Sequence, residues 1–242
     1  MKKEDFKRRE IRPISPMTNL TRLFGRQTKQ DWLNLRTIIL TNPDKIEHWK
    51  EAIELLDQRL ETRYFRPINK ILRMRTTTGE GFAVMTLICS LMEFLQSCYE
   101  GKMYKHGAKE TKIIYGVSGP KFKSFLEQQM PFKIVFNKSL ADDFYTNVRC
   151  GLLHEAATNN GWVIKISKSS DENPDFVDVK TEGSKVIYRD KFFEAIKMYY
   201  ANYKQEIIDN KKDSSNQSLR DNFCRKLDCL CVIDDKSVAW WI

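Results

Sequence analysis

Apolar side chains return every three or four positions along most of this chain, the period of a helix with one buried face. Asp31 to Leu40 reads as a short helix stopped at Asn42-Pro43. Asp44 opens a longer one, in which Trp49, Ile53, Leu56, Leu60 and Tyr64 keep the rhythm. Pro67 should kink or break it. After the break at Thr76-Thr77-Thr78-Gly79, the clearest helix runs through GEGFAVMTLICSLMEFLQSCYEG, with Phe82, Met85, Ile88, Met92 and Leu95 as its core face. Thr86, Ser90, Glu93 and Ser97 form a narrow polar seam along that otherwise apolar rod. A carboxylate in such a place is costly unless it is paired, so Glu93 needs a partner.

Residues 101–138 lack a clear period apart from a short helix over Pro120 to Gln129. Ser139-Leu140-Ala141-Asp142 fits a capping box, and the helix it opens, LADDFYTNVRCGLLHEAAT, stops near Asn159-Asn160-Gly161. The pattern then changes to alternating apolar and polar residues in WVIKIS, DFVDV and KVIYR, around turn-rich SSDENP and EGS, which predicts a small antiparallel β element. Asp190 caps a further helix, KKDSSNQS is a polar linker, Leu219 to Cys231 is a last helix, and the WWI end should dock on apolar surface.

The fold class is therefore mainly α. With 41% apolar and 12% aromatic residues among 242, the chain can bury a core and is not a disordered type. Only 10 Gly and 7 Pro argue against a turn-punctuated all-β protein. The first ten residues are charged throughout, with no apolar run of a secretory leader behind them, and Phe82 to Leu95 is too short and too interrupted to span a bilayer. The six cysteines form no C-x-x-C pair, so reduced thiols in a cytoplasm are expected, with no metal and no cofactor.

Charge sharpens this picture. The net charge is +9: residues 1–30 carry +6, residues 59–75 carry +5, and everything else together sums to −2. Arg59, Arg63, Arg66, Lys70 and Arg73 follow 4-3-4-3 spacing and would line one side of a continuous helix, either as a solvated face or as a nucleic-acid track.

Three histidines are present, at 48, 106 and 154. His154 stands apart because its helix is patterned on both sides. Phe144, Tyr145, Val148 and Leu152 make an apolar face, while Asp143, Asn147, Cys150 and His154 make a polar stripe. The string FYTNVRCGLLHEA resembles the R-x4-6-H signature of the HEPN superfamily of helical ribonuclease and defence domains, carried here by Arg149 and His154. It is most similar to bacterial members with an RxGLLHEA form.

The resemblance covers roughly residues 80–205. It implies an HEPN-like antiparallel helical bundle with a small antiparallel β-hairpin insertion after the motif helix. The chain would then divide into a basic arm at 1–30, a helical extension at 31–78, the HEPN-like domain at 79–210 with its β insertion at about 162–188, and a linker and helix at 211–242 packing on that domain. The implied activity is metal-independent RNA cleavage to a 2′,3′-cyclic phosphate, in stress response or phage defence, with an antitoxin or regulatory protein as partner. Arg149 would hold the scissile phosphate and His154 would move the proton, with Glu93, Asn147, Cys150 and Glu155 in support. Members often carry Asn, Asp or His directly after the arginine, where this chain has Cys150. The alternative is a catalytically silent HEPN-like dimer that binds RNA or protein.

Residues five apart on a regular helix are about 140° apart around its axis. Arg149 and His154 therefore converge on one phosphate only through a second copy of the helix, hence a homodimer, or through a distorted helix. Gly151 would permit close approach there, or else tight packing within one chain. A competing reading bonds Arg149 or His154 to Glu93 or Glu155 inside the chain. Other enzyme signatures, GxxxxGK[ST], GxGxxG, HExxH and G-x-S-x-G, are missing from the sequence.

Overall fold

The computed structural model describes residues 18–74, 79–168, 175–213, 216–233 and 239–241. Most of the basic arm and the threonines of the break at 76–78 lie outside them. The chain enters through a two-stranded antiparallel ribbon, β1 (Arg22–Phe24) and β2 (Gln27–Thr28), which leads directly into α1 (Lys29–Thr41). That helix starts two residues before the expected Asp31. Thr28 is its cap, and the Asp31 carboxylate accepts from the Thr28 backbone N–H at 2.6 Å and its hydroxyl at 2.8 Å.

A long rod follows: α2 (Ile46–Leu60), a π turn at Glu61–Phe65, and α3 (Arg66–Arg73). Pro67 does not break it. It falls in the first turn after the π segment, where the wider i→i+5 turn has already disturbed the backbone ladder and a proline is tolerated.

The centre of the molecule is α4 (Glu80–Tyr99). Met85, Ile88, Leu91, Met92 and Leu95 are fully buried. Phe82, expected in the core face, is 40% exposed: in the first turn Glu80, Gly81 and Val84 face inward, and Phe82 lies on the outer side with Ala83. By length and composition this 20-residue helix could cross a membrane, and 61% of its most apolar window is buried inside the protein instead.

The region read as irregular holds a short parallel pair, β3 (Met103–Tyr104) and β4 (Ile114–Tyr115), then α5 (Ser118–Gln128) and the single turn α6 (Phe132–Val135). The motif segment comes next as α7 (Lys138–Phe144), a second π turn at Tyr145–Cys150, and α8 (Gly151–His154).

Strands β5 (Trp162–Lys165), β6 (Val177–Val179) and β7 (Lys185–Tyr188) form one sheet in the order β5-β7-β6. Only β6 and β7 make the expected antiparallel hairpin. β5 runs parallel to β7 and lies on the opposite side of it from β6. α9 (Arg189–Ile208) and α10 (Leu219–Cys231) complete the fold.

α4 packs against α3, α5, α9 and α10, so its apolar faces meet helices on several sides. One hydrophobic cluster runs from Leu23 to Trp241 and takes in α1 and α2. Trp241 docks as the WWI end predicted: its indole donates to Asp228 at 2.9 Å, and the same carboxylate accepts from Trp32 at 2.8 Å and Arg36 at 3.0 Å.

Candidate functional site

The motif segment is held by a tight aromatic cluster. Phe144 at the end of α7 is fully buried and meets Phe122, Phe136, Trp162 and Phe192 with ring centres 5.1–6.0 Å apart. Val148 and Leu152 continue this buried face, as the apolar pattern predicted. The cap is Asn137, whose side chain accepts from the Leu140 N–H at 2.9 Å; the helix begins one residue before Ser139, which leaves that residue inside the first turn.

The polar stripe divides among three tasks. Asp143 accepts from Asn147 at 2.8 Å, Asn160 at 2.7 Å, the Trp162 indole at 2.8 Å and Lys185 at 3.2 Å, and so ties the motif helix to β5 and β7. Burial raises its carboxyl, but these four donors outweigh that and hold it below its ordinary value. Asn147 is thus occupied in scaffolding. Cys150 is half-buried. His154 ends α8 with its side chain exposed, followed by the exposed Glu155.

Arg149 turns inward. Its Nη2 lies 3.5 Å from Glu93 Oε2 and donates to Ser118 Oγ at 3.2 Å, and its guanidinium lies 5.5 Å from the centre of the Tyr145 ring. This is the partner that the polar seam of α4 required. Burial raises the Glu93 carboxyl, with Arg149 and then Tyr115, whose hydroxyl donates at 3.5 Å, pulling the other way. Both Arg149 and Glu93 remain 18% exposed at the side chain. Among the described residues, Arg149 Nε and Nη1 donate no hydrogen bond, so the guanidinium is anchored from behind with N–H groups to spare. A group of that kind can clamp a phosphate.

No hydrogen bond links Arg149 and His154 among the described residues. The π turn that carries Arg149 is a distortion of the kind that convergence on one helix would need, and such turns concentrate at functional sites. Gly151 serves its own chain: a Cβ there would lie 2.5 Å from the Ala157 carbonyl oxygen, because the loop after His154 folds back over the helix.

The basic stripe does not form a single face. Arg59 points inward and donates to the Leu23 carbonyl at 2.8 Å, while Arg63, Arg66, Lys70 and Arg73 are exposed. The π turn between Arg59 and Arg66 takes up an extra residue in a wider turn and breaks the 4-3-4-3 register. Ser118 and Tyr115 went unnoticed in the sequence, since they come from the stretch without a clear period. Among the described residues no three His, Cys, Asp or Glu side chains gather as metal ligands would. No protein-family model, curated protein or solved structure matches the chain.

Proposed function

We propose that the protein is a metal-independent RNA endonuclease of the HEPN type that acts as a homodimer in the cytoplasm. The observation that carries this reading is Arg149, braced on Glu93 and Ser118 with unspent N–H donors, on the same helix as an exposed His154. Because no hydrogen bond links the two within one chain, the arginine of one copy works with the histidine of the other. Leu153, 49% exposed beside His154, gives the second copy an apolar foothold.

In the reaction His154 takes the proton of a ribose 2′-hydroxyl. The 2′-oxygen attacks the adjacent phosphorus, the bond to the 5′-oxygen breaks, and that oxygen takes up a proton from water while His154 returns its own to solvent. Arg149 holds the phosphate and balances the charge that builds on it. The ends are a 2′,3′-cyclic phosphate and a 5′-hydroxyl. A role in stress response or phage defence, under an antitoxin-like partner, fits such an activity.

The second reading, a silent HEPN-like module that binds RNA, draws on one specific observation. Part of the Arg149 fork is already spent on Glu93, and Cys150 supplies only a weak donor next to it.

The deciding experiment is cleavage of mixed cellular RNA in EDTA by wild type, Arg149→Ala, His154→Ala and a refolded mixture of the two variants. Wild type should cut and leave cyclic phosphate ends, each variant should be inactive, and the mixture should recover activity, since half of its composite sites in heterodimers are intact. Cutting by His154→Ala at the wild-type rate refutes the mechanism. A clean wild-type dimer that cuts nothing gives the field to the binding module.

A further inference from the structure

Two cations lie inside this protein without an ion-pair partner among the described residues. Lys226 on α10 is 5% exposed; its Nζ donates to Ser97 Oγ at 2.7 Å and to the Lys102 carbonyl at 2.8 Å, and sits 5.0 Å from the centre of the Phe94 ring. Arg59 approaches the same ring, at 5.6 Å. Burial lowers the Lys226 ammonium, and it lowers Arg59 to about 10, with the like charge of Arg63 adding to the effect. Among the described residues neither forms an ion pair, and the one acid facing them, Glu93, is turned to Arg149.

Desolvated cations are costly unless an anion meets them. Here the place for one is open. Arg59, Lys226 and Phe94 line a recess of about 340 Å³ whose other walls include Tyr64, Tyr104 and Tyr115, and which falls in the range of about 300–1,000 Å³ typical of small-molecule sites. Tyr104 is half-exposed at its rim, tilted against Tyr115 with ring centres 5.3 Å apart. Along its wall the Tyr64 hydroxyl and the exposed Ser90 Oγ are 3.1 Å apart, and Glu93 supplies an acceptor. Cations, a stacking ring and hydrogen-bonding groups in one recess match a phosphate joined to a flat polar ring.

We infer that this recess is a nucleotide-binding site, in which Lys226 and Arg59 take the phosphate and a base stacks on Tyr104. The nucleotide comes either from an RNA strand or from the free pool. The strand source rests on the RNA reading above, because Glu93 is shared between the recess and Arg149, so a strand lying here would run to the cleavage site. The site itself does not depend on cleavage.

The test is calorimetric titration of the full chain with inorganic phosphate, with GMP and AMP, and with a 2′-O-methyl heptaribonucleotide that cannot be cut. It uses wild type, Lys226→Met and Tyr104→Ala. A nucleotide should bind wild type, and Lys226→Met should weaken it by about tenfold or more, as loss of a charged hydrogen bond does. Tyr104 is at the rim, so Tyr104→Ala keeps the fold and should weaken nucleotide several-fold while leaving phosphate unchanged. It therefore tests the site even if Lys226→Met does not fold. An oligonucleotide that binds more tightly than GMP assigns the recess to a strand, and equal affinities assign it to a free nucleotide. No binding by wild type, or affinities that neither variant changes, overturns the inference. Loss of cleavage in His154→Ala with nucleotide affinity indifferent to Tyr104 and Lys226 rejects the recess and keeps the nuclease. The converse result keeps the recess and rejects the nuclease.

Discussion

Replacing Asp143 by alanine tests how the motif helix is held. The carboxylate collects four donors, and their loss is unequal. Asn147 and Asn160 can turn to water, at a few tenths of a kcal/mol each. The Trp162 indole cannot: the residue is buried, and an orphaned N–H there costs about 1–3 kcal/mol. Lys185 keeps the Asn160 carbonyl at 3.1 Å but loses its anion, which adds about 1 kcal/mol. The sum is about 2.5–5 kcal/mol, or roughly 5–20 °C in Tm for a chain of this size. Asn147→Ala removes one of the four bonds and should cost under about 1 kcal/mol. Urea unfolding followed by tryptophan fluorescence reads both, provided the slope is unchanged. The Asp143 carboxyl lies below its ordinary 3.8, so its contribution is complete above that pH and fades as pH falls through the lowered value. In Asp143→Ala that fading should be gone. If Asp143→Ala costs no more than Asn147→Ala, the carboxylate does not anchor the helix and the argument fails.

Two further expectations are open to direct measurement. Gly151→Ala places a Cβ 2.5 Å from the Ala157 carbonyl and should destabilise by about 1–3 kcal/mol in a thermal melt; a melt like wild type would show that the loop yields freely. Hydrogen bonds from Lys102 and then Lys121 hold the Glu110 carboxyl at about 2, well below its ordinary 4.5. Its stabilisation is therefore present above pH 4.5 and lost as pH falls toward 2. Because the side chain is 52% exposed, the loss stays under about 1 kcal/mol, and Glu110→Gln should flatten that part of the stability curve; a curve with unchanged slope would contradict the assignment.

The helices were legible in proportion to the length of their apolar period. Leu219–Cys231 agrees at both ends, and α4 agrees to within a residue or two. The need of Glu93 for a partner was legible too, because a lone carboxylate in an apolar rod has few affordable states. That the partner is Arg149 was only one of several readings, since the choice depends on how α4 and the motif helix rotate against each other. Ser118 lies in a stretch whose short strands and turns carry no period. The parallel pairing of β5 with β7 leaves no trace in alternation, which marks the faces of a strand and not its direction. Asn137 took the cap from Ser139 because either side chain suits that role and only the backbone chooses.

The two π turns set terms on how this sequence can change over time. Each holds about one more residue per turn than the helix around it, so the apolar period of the sequence falls out of step by one residue across it while the helix itself runs on. Loss of a single codon inside Tyr145–Cys150 would let the segment rewind as a plain α-helix that absorbs the gap, so the flanks keep their phase while residues within that turn shift by up to about 100° around the axis. Arg149 would swing off Glu93 while every loop kept its length. In a lineage of such proteins, one-residue gaps within these helices are then rotations of the site, and aligning across them as if they were loop variation would put the wrong residues in register.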